Sequence, residues 1–401
     1  MYRKRLLVLC VLAATLGCSC AKVETELPAE TDVGEQTSFD EEKSLHIIDI
    51  SLAAMGTQTE NTSETKLAKI ERVIQRLEEQ GYAAIDSKNQ INMVCADQAI
   101  DFCQAVEEKG QDDFMLTVIS DTFQWIIYDF HCADGAVTVA RNIYQYEDGD
   151  MQLEDSAVYT ASDWKYTAEG YIMFSGSWYS EAYSLFALSD MQEKVALRVL
   201  PLDEKCRALN EAYMMPIGYV KNNMFLVDWS EDDFSTLDFY DLFDIFYHQI
   251  YGKEVPYEPS DNLGVGTVYQ IPKEEFEHIM MAYLNIDSET LQQKTLYHTD
   301  SKTYEYRPRE FYEAEYPEHP YPEVVDYTEN ADGTITLLVN VVFPYEGLSK
   351  VFSHEVVVRP LENDGVQYVS NHVIPSEDNI EESWYKPRLT LAEWAEVYGA
   401  E

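Results

Sequence analysis

Three side chains in this 401-residue sequence have types and a spacing that chemistry can use. Asp241, Asp244 and His248 fall at i, i+3 and i+7 on a segment whose pattern predicts a helix from about Thr236 to Tyr251, closed by Gly252. At 3.6 residues per turn these positions share a face. Two carboxylates and an imidazole on one face can hold a divalent metal, or divide acid and base roles through unequal pKa values. The competing reading is a solvated polar face, with His248 near the negative C-terminal end of the helix dipole, in a chain where aspartate is abundant. His354 and Glu355 are adjacent on an expected strand, so they point to opposite faces and form no dyad. HExxH, GxSxG, Walker and EF-hand signatures are absent, and Gly264-Val265-Gly266 lacks the rest of a dinucleotide fingerprint and reads as a turn. The sequence therefore assigns no catalytic, cofactor-binding or metal-ligating residue and calls for no cofactor. Six tryptophans (Trp125, Trp164, Trp178, Trp229, Trp384 and Trp394) and 29 tyrosines can stack on sugar rings, and core packing accounts for most of them equally well.

A different chemistry is written at the N-terminus. Met1 to Arg5 is basic, and the apolar run from Leu6 to Leu16 is too short to span a bilayer as a helix but suits a signal peptide. The run ends Thr15-Leu16-Gly17-Cys18, which resembles a lipobox with Thr15 where leucine is usual. Residues 1–17 are thus expected to be a lipoprotein signal peptide, with Cys18 taking the lipid; Cys20 is a poorer candidate because of the residues before it. Cys95, Cys103, Cys132 and Cys206 remain in the body at spacings that match no zinc ribbon or CxxC motif. Three full pairings are open to them, and buried free thiols are the default expectation.

The formal charge is −45, from 28 Lys plus Arg against 73 Asp plus Glu, and loss of the leader removes three further positive charges. A polyanion gains no counterion-release free energy from nucleic acid, which excludes that partner, and it is repelled by anionic headgroups and wall polymers. A neutral or basic partner is favoured; solubility alone also accounts for the charge.

These residues need elements to place them. Residues 18–44 read as a lipidated, acidic, disordered spacer. Its flexible part reaches about 27 Å at roughly 5–6 Å × √n, beyond a Debye length of about 8 Å, and so holds the body clear of a membrane. A first domain is expected over 45–260 and a second over 261–401, divided by Pro256, Pro259 and Gly264. The first opens with a helix carrying Leu67, Ile70, Val73, Ile74 and Leu77 on one face, stopped by Gly81, and a second over about 97–109. Strands follow near 114–120, 123–131, 136–145, 156–160 and 171–175. The second domain repeats this grammar, with a helix after Pro272, a short one at 288–293, and strands near 302–307, 323–328, 334–343, 351–359 and 366–373. Thr390 and Glu393 make a capping box for a last helix. The fold class is α+β, two helix-plus-antiparallel-meander domains behind a lipid anchor and spacer. The Tyr- and Pro-dense stretch from Phe311 to Tyr327 reads as a stiff connector packed on the body.

The stretches RVLPLDEKCR (Arg198 to Arg207), PIGYVKNNMFLVDW (Pro216 to Trp229), YQIPKEEFE (Tyr269 to Glu277), NADGTITLLVNVV (Asn330 to Val342) and FSHEVVVRP (Phe352 to Pro360) resemble an uncharacterised family of lipoproteins from Gram-positive anaerobes. The resemblance supports the lipoprotein reading and brings no catalytic residue, ligand or cofactor. The leading expectation is an extracytoplasmic lipoprotein, anchored to the cell membrane by its N-terminal lipid, acting as a non-enzymatic binding module for a neutral or basic protein or glycan at the cell envelope. The alternatives are a carboxylate- or metal-assisted envelope hydrolase using Asp241, Asp244 and His248, and a purely structural envelope component.

Overall fold

In the computed structural model, residues 40–56, 65–147, 149–179, 192–262, 265–314, 318–362 and 365–399 are described. The leader, Cys18 and nearly all of the spacer lie outside them. The spacer expected to run to residue 44 ends earlier, because Asp40 accepts from the Lys43 amide and starts helix α1 (Glu41–Met55). Helix α1 buries Ile47 and Ile48 beside α2 (Lys66–Glu78), whose Ile70, Val73, Ile74 and Leu77 form the expected face. Gly81 stops α2 with φ +79°, a conformation open to glycine.

Both helices cover one face of a five-stranded sheet. Its strands are β1 (Ala83–Asp86), β2 (Gln111–Ile119), β3 (Gln124–Ala133), β4 (Ala136–Glu147) and β5 (Asp150–Thr160), in that spatial order. Strands β2 to β5 are the expected antiparallel meander, and β1 adds in parallel to β2. The β3–β4 hairpin turns on Asp134 and Gly135, both at positive φ, as a two-residue primed turn requires. The opposite face of the sheet packs on α3 (Ala96–Glu107) and on a small sheet of β6 (Asp163–Tyr166), β7 (Tyr171–Gly176) and β8 (Glu193–Arg198).

The chain then forms α4 (Glu204–Leu209), which runs into a π turn, and the two-residue strand β9 (Trp229–Ser230). Helix α5 (Phe239–Tyr251) ends on Gly252 in the left-handed region. After it come β10 (Tyr269–Pro272), α6 (Lys273–Tyr283), α7 (Ser288–Lys294), β11 (Tyr297–His298) and β12 (Thr303–Tyr306). A second five-stranded antiparallel sheet follows: β13 (Tyr321–Glu329), β14 (Ile335–Val342), β15 (Ser353–Pro360) and β16 (Val366–Val373), with β9 as its outer strand. Helix α8 (Leu391–Tyr398) carries the Thr390–Glu393 capping box.

The fold is α+β, and the boundary expected at residue 260 falls inside a core. Cys206, Leu209, Phe239, Phe243 and Phe246 share one apolar cluster with Phe276, Ile279, Val339 and Val356. Phe243 stacks on Phe276 across that boundary with ring centroids 5.0 Å apart. Residues 39–401 group as one compact unit. Pro256 and Pro259 mark a surface loop between α5 and β10, where a break in periodicity has the same sequence signature as a domain linker.

Candidate functional site

Helix α5 places the two aspartates singled out by their spacing. Asp238 caps the helix through its carboxylate, accepting from the Tyr240 and Asp241 amides. Three positions later the helix turns Asp241 fully inward, with a side-chain exposure of 0 %. Arg309 grips it as a fork, Nε donating at 2.9 Å and Nη2 at 2.7 Å, one to each oxygen. Arg388 Nε donates to the same carboxylate at 2.5 Å and the Tyr385 hydroxyl at 3.2 Å. Four donors take up the acceptor sites of one carboxylate. Asp244, one turn on, accepts from the Tyr306 hydroxyl and from Arg388 Nη2, both at 2.6 Å. Arg388 thus bridges the two aspartates, and its remaining nitrogen donates to the Arg307 carbonyl.

His248 does not join them. It lies at the end of α5 with 47 % of its side chain exposed and pairs with Glu254 at 3.3 Å. Seven residues separate it from Asp241, and at 1.5 Å per residue they carry it about 10 Å along the axis, too far to share a ligand. A shared face is a statement about angle; the axial rise decides the distance. Among the described residues no group of three or more His, Cys, Asp or Glu side chains is placed to hold a metal ion.

The electrostatics fit a saturated charge cluster. Burial raises Asp244 to about 6, partly offset by Arg388. Burial and the neighbouring charge of Asp241 raise Asp238 to about 6 as well. Burial disfavours the charged Arg388, but the carboxylates of Asp241 and Asp244 outweigh it and hold the guanidinium well above its ordinary value. With both its oxygens engaged by four donors, Asp241 has no acceptor to offer a metal or a substrate proton. What it does is mechanical: it fastens the segments around Arg309 and Arg388 onto α5.

Three further polar clusters carried no signal in the sequence, because their members lie far apart along it. Glu323 on β13 accepts from Arg198 at 2.6 Å and from the Tyr171 hydroxyl at 2.5 Å, all three buried. Asn89 donates to the Ala196 carbonyl and the Tyr321 hydroxyl beside them, and the adjoining crevice has room for about one water. Glu193 accepts from the hydroxyls of Tyr128 and Tyr159 at 2.7 and 2.6 Å, next to Arg141, which lies 4.3 Å from the Trp178 ring. His354 is fully buried between the Tyr219 hydroxyl, 2.8 Å away, and Asn371 Oδ1, 2.6 Å away. Burial lowers its pKa to about 4. Glu355 is exposed on the other face of β15, as the alternation required.

Trp125, Trp229, Trp384 and Trp394 are buried, so most of the indoles serve the core. Cys95, Cys103, Cys132 and Cys206 are free thiols, and burial raises Cys103 to about 12, which makes it inert as a nucleophile. Among the described residues no helix is long and apolar enough to cross a membrane. The model of a family of unknown function, DUF6070, matches residues 41–388. The chain belongs to this family. The DUF6070 match opens on the first residue of α1 and closes on Arg388, the arginine that bridges Asp241 and Asp244. No curated protein and no solved structure matches the chain.

Proposed function

We propose that the chain is an extracytoplasmic lipoprotein, tethered to the cell membrane through lipid on Cys18, whose body is a non-enzymatic binding module for a neutral or basic protein or glycan at the cell envelope. The observation that carries the binding reading is where the arginines go. Arg141, Arg198, Arg309 and Arg388 have side chains no more than 8 % exposed, and each pairs with a carboxylate. Pairs of this kind are close to neutral, so the excess of a chain with formal charge −45 is left to the surface, with few arginines there to offset it. Such a field draws in cationic partners and repels anionic ones, and salt weakens it.

The hydrolase alternative rested on Asp241, Asp244 and His248; the separation of His248 from the two aspartates and the saturation of Asp241 count against it. The lipid anchor is tested by replacing Cys18 with Ser and assaying partitioning into detergent. The variant is expected to move to the aqueous phase, and an unchanged membrane fraction sinks the anchor. Binding is tested by capture from envelope extracts with the full chain as bait at low and high salt. One reproducible partner, lost or weakened at high salt, supports the reading. Recovery of nothing above background counts against it.

A further inference from the structure

We propose that β5 is a docking edge for an extended, basic polypeptide segment, which is added to the five-stranded sheet as a further strand. This rests on the reading that the body takes a basic partner and names the surface and the form of the occupant. Strand β5 is the outer strand of its sheet and, at 11 residues, the longest outer strand among those described. Among the described residues all of its ladder pairs are made to β4, so every second backbone N–H and C=O on its far side points away from the sheet. Two other outer strands are contacted on their open sides. Ala84 of β1 bridges to Val94, and the Val324 amide of β13 donates to Asn210.

The side chains of β5 say which strand can use that template. Residues 152–156 are all exposed, and the strand carries Asp150, Glu154 and Asp155 with no lysine or arginine. A bulge at Glu154, where the register to β4 shifts, turns that residue out of the regular ladder. Acidic residues and a bulge on an edge discourage pairing with like-charged strands, a second copy of this chain included, because like charges directly opposite are destabilising. The same residues favour a cationic strand. Asp155 leans back onto Arg141 and Glu154 Oε2 accepts from Gln124 Nε2 at 3.2 Å, so Asp150 and the other oxygen of Glu154 are the carboxylate groups the edge offers a cation. Leu153 and Val158, about half exposed, offer apolar contacts of the kind that alternate side chains of an added strand seek.

The experiment uses the full chain in detergent micelles and three short labelled peptides: one alternating Lys and Val, one alternating Lys and Pro with the same charge, and one alternating Glu and Val. Proline cannot donate to a ladder, so the Lys–Pro peptide reports charge attraction alone. The expected result is binding of the Lys–Val peptide only, with slowed amide exchange along β5. A Leu153→Lys, Glu154→Lys double variant, and Glu154→Lys alone as the milder change, should keep the native circular dichroism. The double variant should weaken binding by about tenfold. Equal binding of the Lys–Pro peptide, or unaltered affinity in folded variants, overturns the edge while leaving the basic-partner reading standing. Failure of both lysine peptides to bind overturns the two together.

Discussion

Asp241 shows how far a residue's chemistry depends on its neighbours. The same side chain that reads as a metal ligand by spacing is held by Arg309, Arg388 and Tyr385 and has nothing left to donate to chemistry. Asp241→Ala leaves two nearly buried guanidiniums without their main counter-charge, and its expected cost is about 3–5 kcal/mol. Urea denaturation checks this, and a loss below about 1 kcal/mol would show the cluster to be loosely held. His354 makes a prediction in pH. Its folded value of about 4 lies below the unfolded 6.5, so the unfolded chain takes up the proton first as pH falls. The stability it contributes is complete above pH 6.5 and is lost between 6.5 and 4, by about 3 kcal/mol in all. Asp238 and Asp244 act in the opposite sense, since their raised values make the folded state the better proton acceptor between about 4 and 6. The test is therefore a difference: the gap in stability between the parent and His354→Gln should narrow as pH falls from 6.5 to 4. A constant gap would refute it.

At the scale of elements, legibility followed periodicity. Helices α2 and α6 and strands β14 to β16 stand close to their expected places because each has one buried face and its pattern says so. Strand β1 was missed because all four of its residues are buried and no alternation marks it. Helix α1 was hidden by Glu41 and Glu42, which continue the acidic composition of the spacer although they also suit the first turn of a helix. The end of β7 shows how elements constrain one another. A Cβ on Gly176 would lie 2.4 Å from the Tyr159 ring of β5. Gly176→Ala should therefore displace that ring from Glu193 and cost about 1–3 kcal/mol, read by thermal melting. An unchanged melting temperature would mean that the two sheets part freely there.

At the scale of the molecule, the core that joins residues on both sides of 260 has a direct consequence. A fragment of residues 261–401 lacks Phe239, Phe243 and Phe246, against which α6 and the second five-stranded sheet are built. It should show no cooperative urea transition by circular dichroism, and a sharp two-state transition would restore the boundary at 260. The buried Arg198–Glu323 pair adds a polar tie between β8 and β13, across 125 residues of chain.

By itself the sequence determined the α+β class, the acidic character, the lipobox-like Cys18 expectation and most amphipathic elements, because composition and local periodicity need no partner to be read. It also placed Asp241 and Asp244 on one helix face. Only the tertiary structure decided what those aspartates do, where the arginines are spent, which cores are shared, and that β5 is left at an edge. The reason is physical: burial, pairing and saturation of hydrogen-bond acceptors are set by groups 68 and 147 residues away from Asp241, and no window on the chain contains them.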